Sequence, residues 1–370
     1  MNNNYFFSYR TLSDIKLNIK IPYEDQYCIL NARTSSIERV ITNNPFIENE
    51  QEKVQMLAVV DNIIAGTVYN FPLKIKVDGK LYSSNSGSYL VVRENFRKLF
   101  LLGIKLTEFS YLKEYPFFIA GGISKNALPI HKYFGSKEFS IPRYLLINKS
   151  KFLLMKKFRL KGLLLKVISG FIDFLLLFRK VLIILYIKVK FKNITTQEVH
   201  KIPSEVDSII NKNSKKFQEF HNSQWFKWAL KDKFGCDQSF QKKFYVIKNN
   251  QDKIIGFFLT SEKFHKNIKG YRDVYIGSVM EWETVDEKQI SEKHLLIMAM
   301  MSFDNKYHII ECATNNKVSI RLFKKIGMFK VGQRNMIIKP LYKMLPDEFR
   351  GYDNINNWRI RPAVGDTIMY

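Results

Sequence analysis

The strongest constraint on this chain is an order of elements that occurs twice. Residues 1–150 and 193–340 run through the same succession of strand-like and helix-like stretches. In the first half, residues 14–22 alternate like a strand and residues 23–40 carry helical spacing. Residues 54–92 form a run of strands punctuated by Asp61-Asn62 and Asp78-Gly79, pairs suited to tight hairpin turns. Residues 93–114 are helical in period, 116–124 a short buried strand, 125–135 a helix ended by Gly135, and 137–148 a closing strand. In the second half, 194–203 read as a strand and 204–220 as a helix. A hairpin turns near Asn249-Asn250, and 271–285 follow as a strand. Then come a helix over 291–304, a strand over 307–314, a helix over 315–327 ended by Gly327, and a strand over 329–340. The period is too long for a solenoid, so two copies of one α+β domain account for it best. The expected organisation is a domain over 1–150, a linker over 151–192, a second domain over 193–345, and a tail over 346–370 packed on the second domain.

The linker is the least ordinary segment. Residues 151–192 hold eleven Lys/Arg and one Asp, a net charge of +10, in an otherwise apolar helical run. Its uncharged stretches are about half of the roughly 20 residues a bilayer span needs. Lys166, Asp173, Arg179 and Lys180 would be costly at the bilayer centre. On a helix Arg159, Lys166, Gly170, Asp173 and Lys180 fall near one narrow stripe. Two main readings follow: a helix lying in an anionic membrane interface, or an inter-domain helix packed between two cores; a true bilayer span is the lesser third.

Composition narrows the function classes. The net charge of +25 suits a polyanionic partner or a phosphate-rich cofactor, although a chain rich in Lys, Asn and Ile also acquires such charge from coding bias. No nucleic-acid module is apparent, so no nucleic-acid partner is expected. Cys28, Cys236 and Cys312 stand far apart without ligand spacing. Neither a metal site nor a disulfide framework is expected, which fits a reducing compartment. The N-terminal stretch has no basic region leading into an apolar one. The expected location is the cytoplasm, with 151–192 against the inner face of the membrane in one of its two main readings.

A short motif carries the functional expectation. Asn316-x-x-Ser319-x-x-Leu322-Phe323-x-Lys325-x-Gly327-Met328 follows the strand 307–314. A fainter copy, Ser124-x-x-Ala127-x-x-Ile130-His131-x-Tyr133-x-Gly135, follows the strand 116–124. Both closely resemble the N-x-x-A-x-x-L-Y-x-K-x-G-F helix of the GCN5-related N-acetyltransferase (GNAT) superfamily. The resemblance implies two GNAT-like domains, each a mixed, mostly antiparallel sheet flanked by helices. It also implies acetyl-CoA, or another acyl-CoA, as cofactor. In that family the cofactor pyrophosphate meets backbone N–H groups at a helix N-terminus, where orphan donors and the helix dipole favour an anion. The strand end Leu90-Val91-Val92, with Arg97, Lys98, Gly103 and Ser124, is then the expected cofactor-binding set. The small residues of the family's phosphate loop are displaced here, falling on Phe100 and Leu102. The second half has no such loop and is acidic there.

The resemblance also implies direct attack of an amine on the thioester. A backbone N–H of the splayed strand would polarise the carbonyl, and an acid on the short helix would protonate the thiolate. That position is Phe323 in the second copy, which cannot donate a proton, and His131 in the first, which can. His131 is the expected catalytic acid and Tyr133 the alternative. Residues 221–230 and 356–370, with Trp225, Trp228, Trp358 and Asp366, resemble tandem GNAT-like proteins of bacterial surface-polysaccharide synthesis. That likeness implies an amino sugar, free or nucleotide-linked, as acceptor. Aminoacyl-tRNA-dependent peptidoglycan transferases also pair such domains, but usually insert a charged coiled coil, unlike the apolar segment here. The competing expectation is a catalytically inactive GNAT-like scaffold.

Overall fold

The structure is a computed structural model. It describes residues 5–17, 19, 31–97, 101–212, 215–231, 240–266, 273–285 and 287–363, without the side chains of 31–36 and 156–157. In chain order the elements are β1 (Tyr5–Thr11), α1 (Leu12–Lys16), α2 (Asn31–Thr42), β2 (Lys53–Val60), β3 (Ile63–Val77), β4 (Lys80–Val92), α3 (Leu102–Phe109), β5 (Phe117–Gly121), α4 (Leu128–Tyr133) and β6 (Lys137–Ile147). They continue with α5 (Lys151–Lys157), α6 (Gly162–Lys190), β7 (Thr195–Val199), α7 (Glu205–Asn211), β8 (Phe217–Glu219), α8 (Ser223–Lys231), β9 (Phe240–Lys248) and β10 (Ile254–His265). The last are β11 (Val274–Thr284), α9 (Glu292–Met301), β12 (Ile309–Ala313), α10 (Lys317–Lys325), β13 (Phe329–Pro340) and β14 (Trp358–Arg359).

The chain forms two compact units, neither of them contiguous. Unit 1 is 1–140, 214–236 and 334–370; unit 2 is 141–213 and 237–333. The sequence-based halves differ from these units because each unit is completed by a strand from the other half. Unit 2 takes residues 141–147 of β6, which pair antiparallel with β12 from Arg143↔Ala313 to Ile147↔Ile309. Unit 1 takes the end of β13, which pairs antiparallel with β5 from Met336↔Gly121 to Pro340↔Phe117.

In unit 1, β1 through β4 form an antiparallel meander in sequence order. Asp61 and Asn62 have φ of 47° and 63°, and Asp78 and Gly79 of 47° and 88°, so both anticipated hairpin turns form with left-handed central residues. The expected strand over 14–22 is not seen at its start. Asp14–Lys16 belong to α1, because Thr11 and Asp14 form a reciprocal capping box there. The strand of this region is instead β1. Met56, Val68, Leu102 and Leu106 pack a core between the meander and α3. The helix expected over 204–220 stops at Asn211, and Phe217–Glu219 form β8, which pairs with Ile75–Val77 at the end of β3. β14 adds to β8 in parallel, Trp358↔Phe217. The C-terminal tail therefore completes unit 1 and not the second domain.

In unit 2, β7, β9, β10 and β11 pair antiparallel in that order, and β12 joins β11 in parallel. α9 and α10 cover a core of Trp282, Leu295, Met298, Ile310 and Phe323. The segment 151–192 is part of this unit and not a linker. Ile183, Ile187 and Phe191 of the α6 region pack on that core. Polar groups of α6 also point inward. The Lys180 Nζ donates to the Phe303 carbonyl and to Asn305 Oδ1, each at 2.8 Å. The Arg179 guanidinium donates to the Ile147 carbonyl at 2.7 Å, and Asp173 accepts from the Ser150 N–H at 2.6 Å.

Trp358 shows how far unit 1 depends on its distant segments. Its ring stacks on Phe217 at 4.9 Å, and its Nε1 donates to the Tyr352 carbonyl at 2.6 Å. Trp358→Ala is expected to destabilise the protein by about 3–5 kcal/mol, the usual loss for a buried large aromatic. Urea unfolding checks this; an unchanged midpoint would show that the tail contributes nothing to the fold.

Candidate functional site

The candidate site is an opening between β4 and β5 of unit 1. These strands run parallel and share one paired position among the described residues, Asn85↔Phe118. Beyond it β4 continues to Val92, held on its other side by β3 through Thr67↔Val91 and Gly66↔Val92. The register shifts just before these pairs, where Tyr89 takes a left-handed φ of 55°. This bulge reorients the strand end. It also brings the Val91 carbonyl to 3.0 Å from where a Cβ on Gly66 would sit. The described pairing of β4 with β5 is confined to that one position, so the bulged end of β4 lies beyond it.

The expected site residues divide between this opening and the body of the unit. Leu90 and Val92 pack inward on the cluster containing Leu102 and Leu106, leaving their backbone along the opening. Arg97 is exposed, and its Nε donates to the Val92 carbonyl at 3.1 Å, closing the end of β4. Lys98 lies outside the described residues. Gly103 is the second residue of α3, preceded by Leu101 at φ 64°. A Cβ on Gly103 would meet only a Val92 methyl at 3.7 Å, an ordinary contact, so no close approach requires glycine there. Ser124 follows β5 and is exposed, its Oγ accepting from the Ala127 N–H at 3.2 Å.

His131 is buried, stacked on Phe118, with its Nδ1 2.7 Å from the Tyr111 hydroxyl. Burial, reinforced by the Lys339 charge, lowers its pKa to about 4. It is neutral at pH 7, with one ring nitrogen engaged, which suits a packed core histidine and not a proton donor. Tyr133 points outward, 77% exposed, with its ring against Phe134. Trp225, Trp228 and Trp358 are buried as well, the Trp228 Nε1 donating to the Val40 carbonyl at 2.9 Å. They are core anchors and offer no face for stacking on a sugar. Asp366 lies outside the described residues.

Unit 2 repeats the opening and closes it. β11 and β12 pair in parallel from Ile276↔Ile309 to Val279↔Cys312. The register against β10 then shifts at Met280. A Cβ on Gly256 would meet the Glu283 carbonyl at 2.9 Å, as one on Gly66 would meet that of Val91. The difference lies in Glu292, the first residue of α9. Its carboxylate accepts from the Trp282 indole at 3.1 Å and from Asn316 Nδ2 at 3.0 Å, bridging β11 to the cap of α10. The Glu287 carboxylate takes the Glu292 N–H at 3.1 Å. Carboxylates of the chain itself thus fill the start of this helix, where a second anion would be repelled.

With this geometry established, the chain can be compared with known proteins. No family model matches it, and no curated protein matches it in sequence. Solved structures do match in shape. A GCN5-related N-acetyltransferase from Anabaena variabilis ATCC 29413 superposes with a TM-score of 0.55 at 8% identity, covering 91% of this chain and 73% of that one. The N-myristoyltransferase of Saccharomyces cerevisiae with bound myristoyl-CoA gives 0.56 at 13% identity, covering 94% and 81%. A probable N-acyltransferase from Enterococcus faecalis V583 gives 0.55 at 8% identity, covering 92% and 73%. The chain has the GNAT fold.

Some determinants of this opening carry little signal in the sequence. Gly66 and Gly256 follow Ile63-Ile64-Ala65 and Ile254-Ile255, a faint internal match that could have marked both close approaches. Tyr89 carries no signal of its left-handed backbone. For His131 the consequence is a pH effect on stability. The folded pKa lies below the ordinary histidine value of 6.5. Between about pH 6.5 and 4 the unfolded chain takes up a proton that the folded chain excludes, so stability falls as pH falls through that window. The loss from His131 is roughly 3 kcal/mol, at about 1.4 kcal/mol per pKa unit. Denaturation midpoints across the window are expected to decline less steeply in His131→Gln; parallel curves would contradict the neutral, buried assignment.

Proposed function

We propose that the protein is an N-acyltransferase that binds acyl-CoA, acetyl-CoA or a longer-chain relative, in the unit 1 opening. The observation that carries this is the confinement of β4–β5 pairing to Asn85↔Phe118, with the end of β4 bulged at Tyr89 beyond it. An extended cofactor arm can hydrogen-bond along such a strand end as an added strand would. Backbone N–H groups there can polarise the thioester carbonyl while an acceptor amine attacks. The new N–C bond forms, the C–S bond breaks, the thiolate departs, and the amine proton passes to solvent. The exposed Arg97 at the end of β4 would meet the phosphates. In this reading both units descend from one GNAT-like unit, a view supported by the matched bulges and the matched glycines. Unit 2 serves as a scaffold, which the Glu292 bridge favours. The acceptor is an amine, and an amino sugar or nucleotide-linked amino sugar of surface-polysaccharide synthesis is the reading that rests on sequence resemblance.

Titration calorimetry with acetyl-CoA tests this. One site per chain is expected, with Arg97→Glu weakening it about tenfold, a loss of roughly 1.4 kcal/mol, and Glu292→Gln leaving it unchanged. No heat at millimolar acetyl-CoA would defeat the enzyme reading, and two sites would defeat the scaffold role of unit 2. Release of free thiol with a panel of amines tests the acceptor: turnover on peptide amines but not on amino sugars would discard the polysaccharide assignment.

A further inference from the structure

The α6 helix of unit 2 is built inside out. Its 29 residues extend for about 43 Å. The face on unit 2 is mixed: Leu165, Leu176 and Ile183 pack there beside Ser169, Asp173, Arg179 and Lys180. The opposite face is almost wholly apolar and open. Leu163, Phe171, Phe174, Phe178 and Val189 are 76%, 65%, 64%, 55% and 79% exposed, and Val167, Val181 and Leu185 lie exposed between them. An apolar surface of this length exceeds what a free monomer ordinarily presents. The face that an apolar packing helix would bury is the one left open here.

Charge identifies what covers it. Lys151, Arg159, Lys161 and Lys166 stand exposed towards one end of the apolar face, and Lys188, Lys190 and Lys192 towards the other. The one acid of the segment, Asp173, is engaged by the Ser150 N–H at 2.6 Å. A second copy of this chain fits poorly. Packed parallel, like ends meet; packed antiparallel, one basic end meets the other. Both arrangements set cation against cation. No described helix is long and apolar enough to cross a membrane. Crossing would also break the bonds that tie Arg179 to Ile147 and Lys180 to Phe303. An occupant must be apolar, broad and negatively charged at its margin.

We propose that α6 lies flat in the surface of a bilayer bearing anionic headgroups. Its phenylalanines enter the acyl boundary and its lysines and arginines meet the headgroups. Unit 2 is then the membrane-docking unit.

The test is flotation of the full chain with vesicles. Wild-type protein is expected to float with phosphatidylcholine–phosphatidylglycerol vesicles, much less with phosphatidylcholine alone, and to be partly released by salt. The variant Phe171→Ser/Phe174→Ser/Phe178→Ser is expected to bind the anionic vesicles at least tenfold more weakly. These rings are exposed, so its thermal melt should match wild type and separate lost docking from lost folding. Lys161→Glu/Lys188→Glu should weaken binding to anionic vesicles only. A wild-type protein that stays at the bottom with both vesicle types, or a triple variant that floats equally well, overturns the proposal. Light scattering supplies the other arm. A vesicle-free dimer that becomes monomeric in the triple variant would assign the face to a second copy and also overturn it.

Discussion

The contact on which the unit 1 site depends is that of Phe118 with Gly87. A Cβ on Gly87 would lie 2.6 Å from the Phe118 ring, so the ring seats only because the residue is glycine. This contact lies close beyond the single rung where β4 and β5 pair, Asn85↔Phe118. The same ring stacks on His131 and meets Tyr111 edge-on at 4.9 Å. One side chain therefore fixes where the strands part, supports α4, and fills the space beneath the opening. Lys339 closes the arrangement by donating to the Phe134 carbonyl and lying over the Tyr111 ring. His131 belongs to this packing, which is why its chemistry is that of a core residue.

The sequence made the repeated order legible because the patterns involved are local. Hairpin turns at Asp61-Asn62 and Asp78-Gly79 need left-handed residues, and the sequence supplies them. Gly135 and Gly327 end their helices at φ 79° and 82°, as the motif spacing implied. What remained hidden is non-local. That β6 completes unit 2 and β13 completes unit 1 depends on edge pairing, and nothing in either strand's alternation encodes its partner. β8 is masked in the sequence, because a three-residue strand carries too little period to oppose the helical spacing upstream of it. The role given to His131 came from position in a motif, and a motif fixes backbone placement without fixing where the imidazole points.

The polar stripe of α6 was visible in the sequence, but its orientation was not. An amphipathic pattern tells which residues share a face, not which face meets protein. The structure resolves this through the groups that cannot be left unpaired. A buried ammonium needs acceptors, and Lys180 finds the Phe303 carbonyl and Asn305, while the half-buried Arg179 donates to the Ile147 carbonyl. Burial lowers the pKa of both groups, so they are held at a cost that their acceptors offset. The apolar residues on the other side are left outward by geometry, since a helix with its polar side docked has no other place for them.

The two units carry the same opening with opposite fates, and the difference comes down to a few side chains. Both have the bulge and the glycine that admits a carbonyl. Unit 2 adds Glu292 between Trp282 and Asn316, and its carboxylate takes the two donors that an anionic ligand would otherwise accept from. A carboxylate held by an indole N–H and an amide is satisfied, and an incoming anion would have to displace it. Unit 1 has no acid in the corresponding stretch before α3 among the described residues except Glu94, which is exposed. The two units therefore differ at this place: in unit 2 a carboxylate of the chain bridges β11 to the cap of α10, and in unit 1 no described acid makes such a bridge.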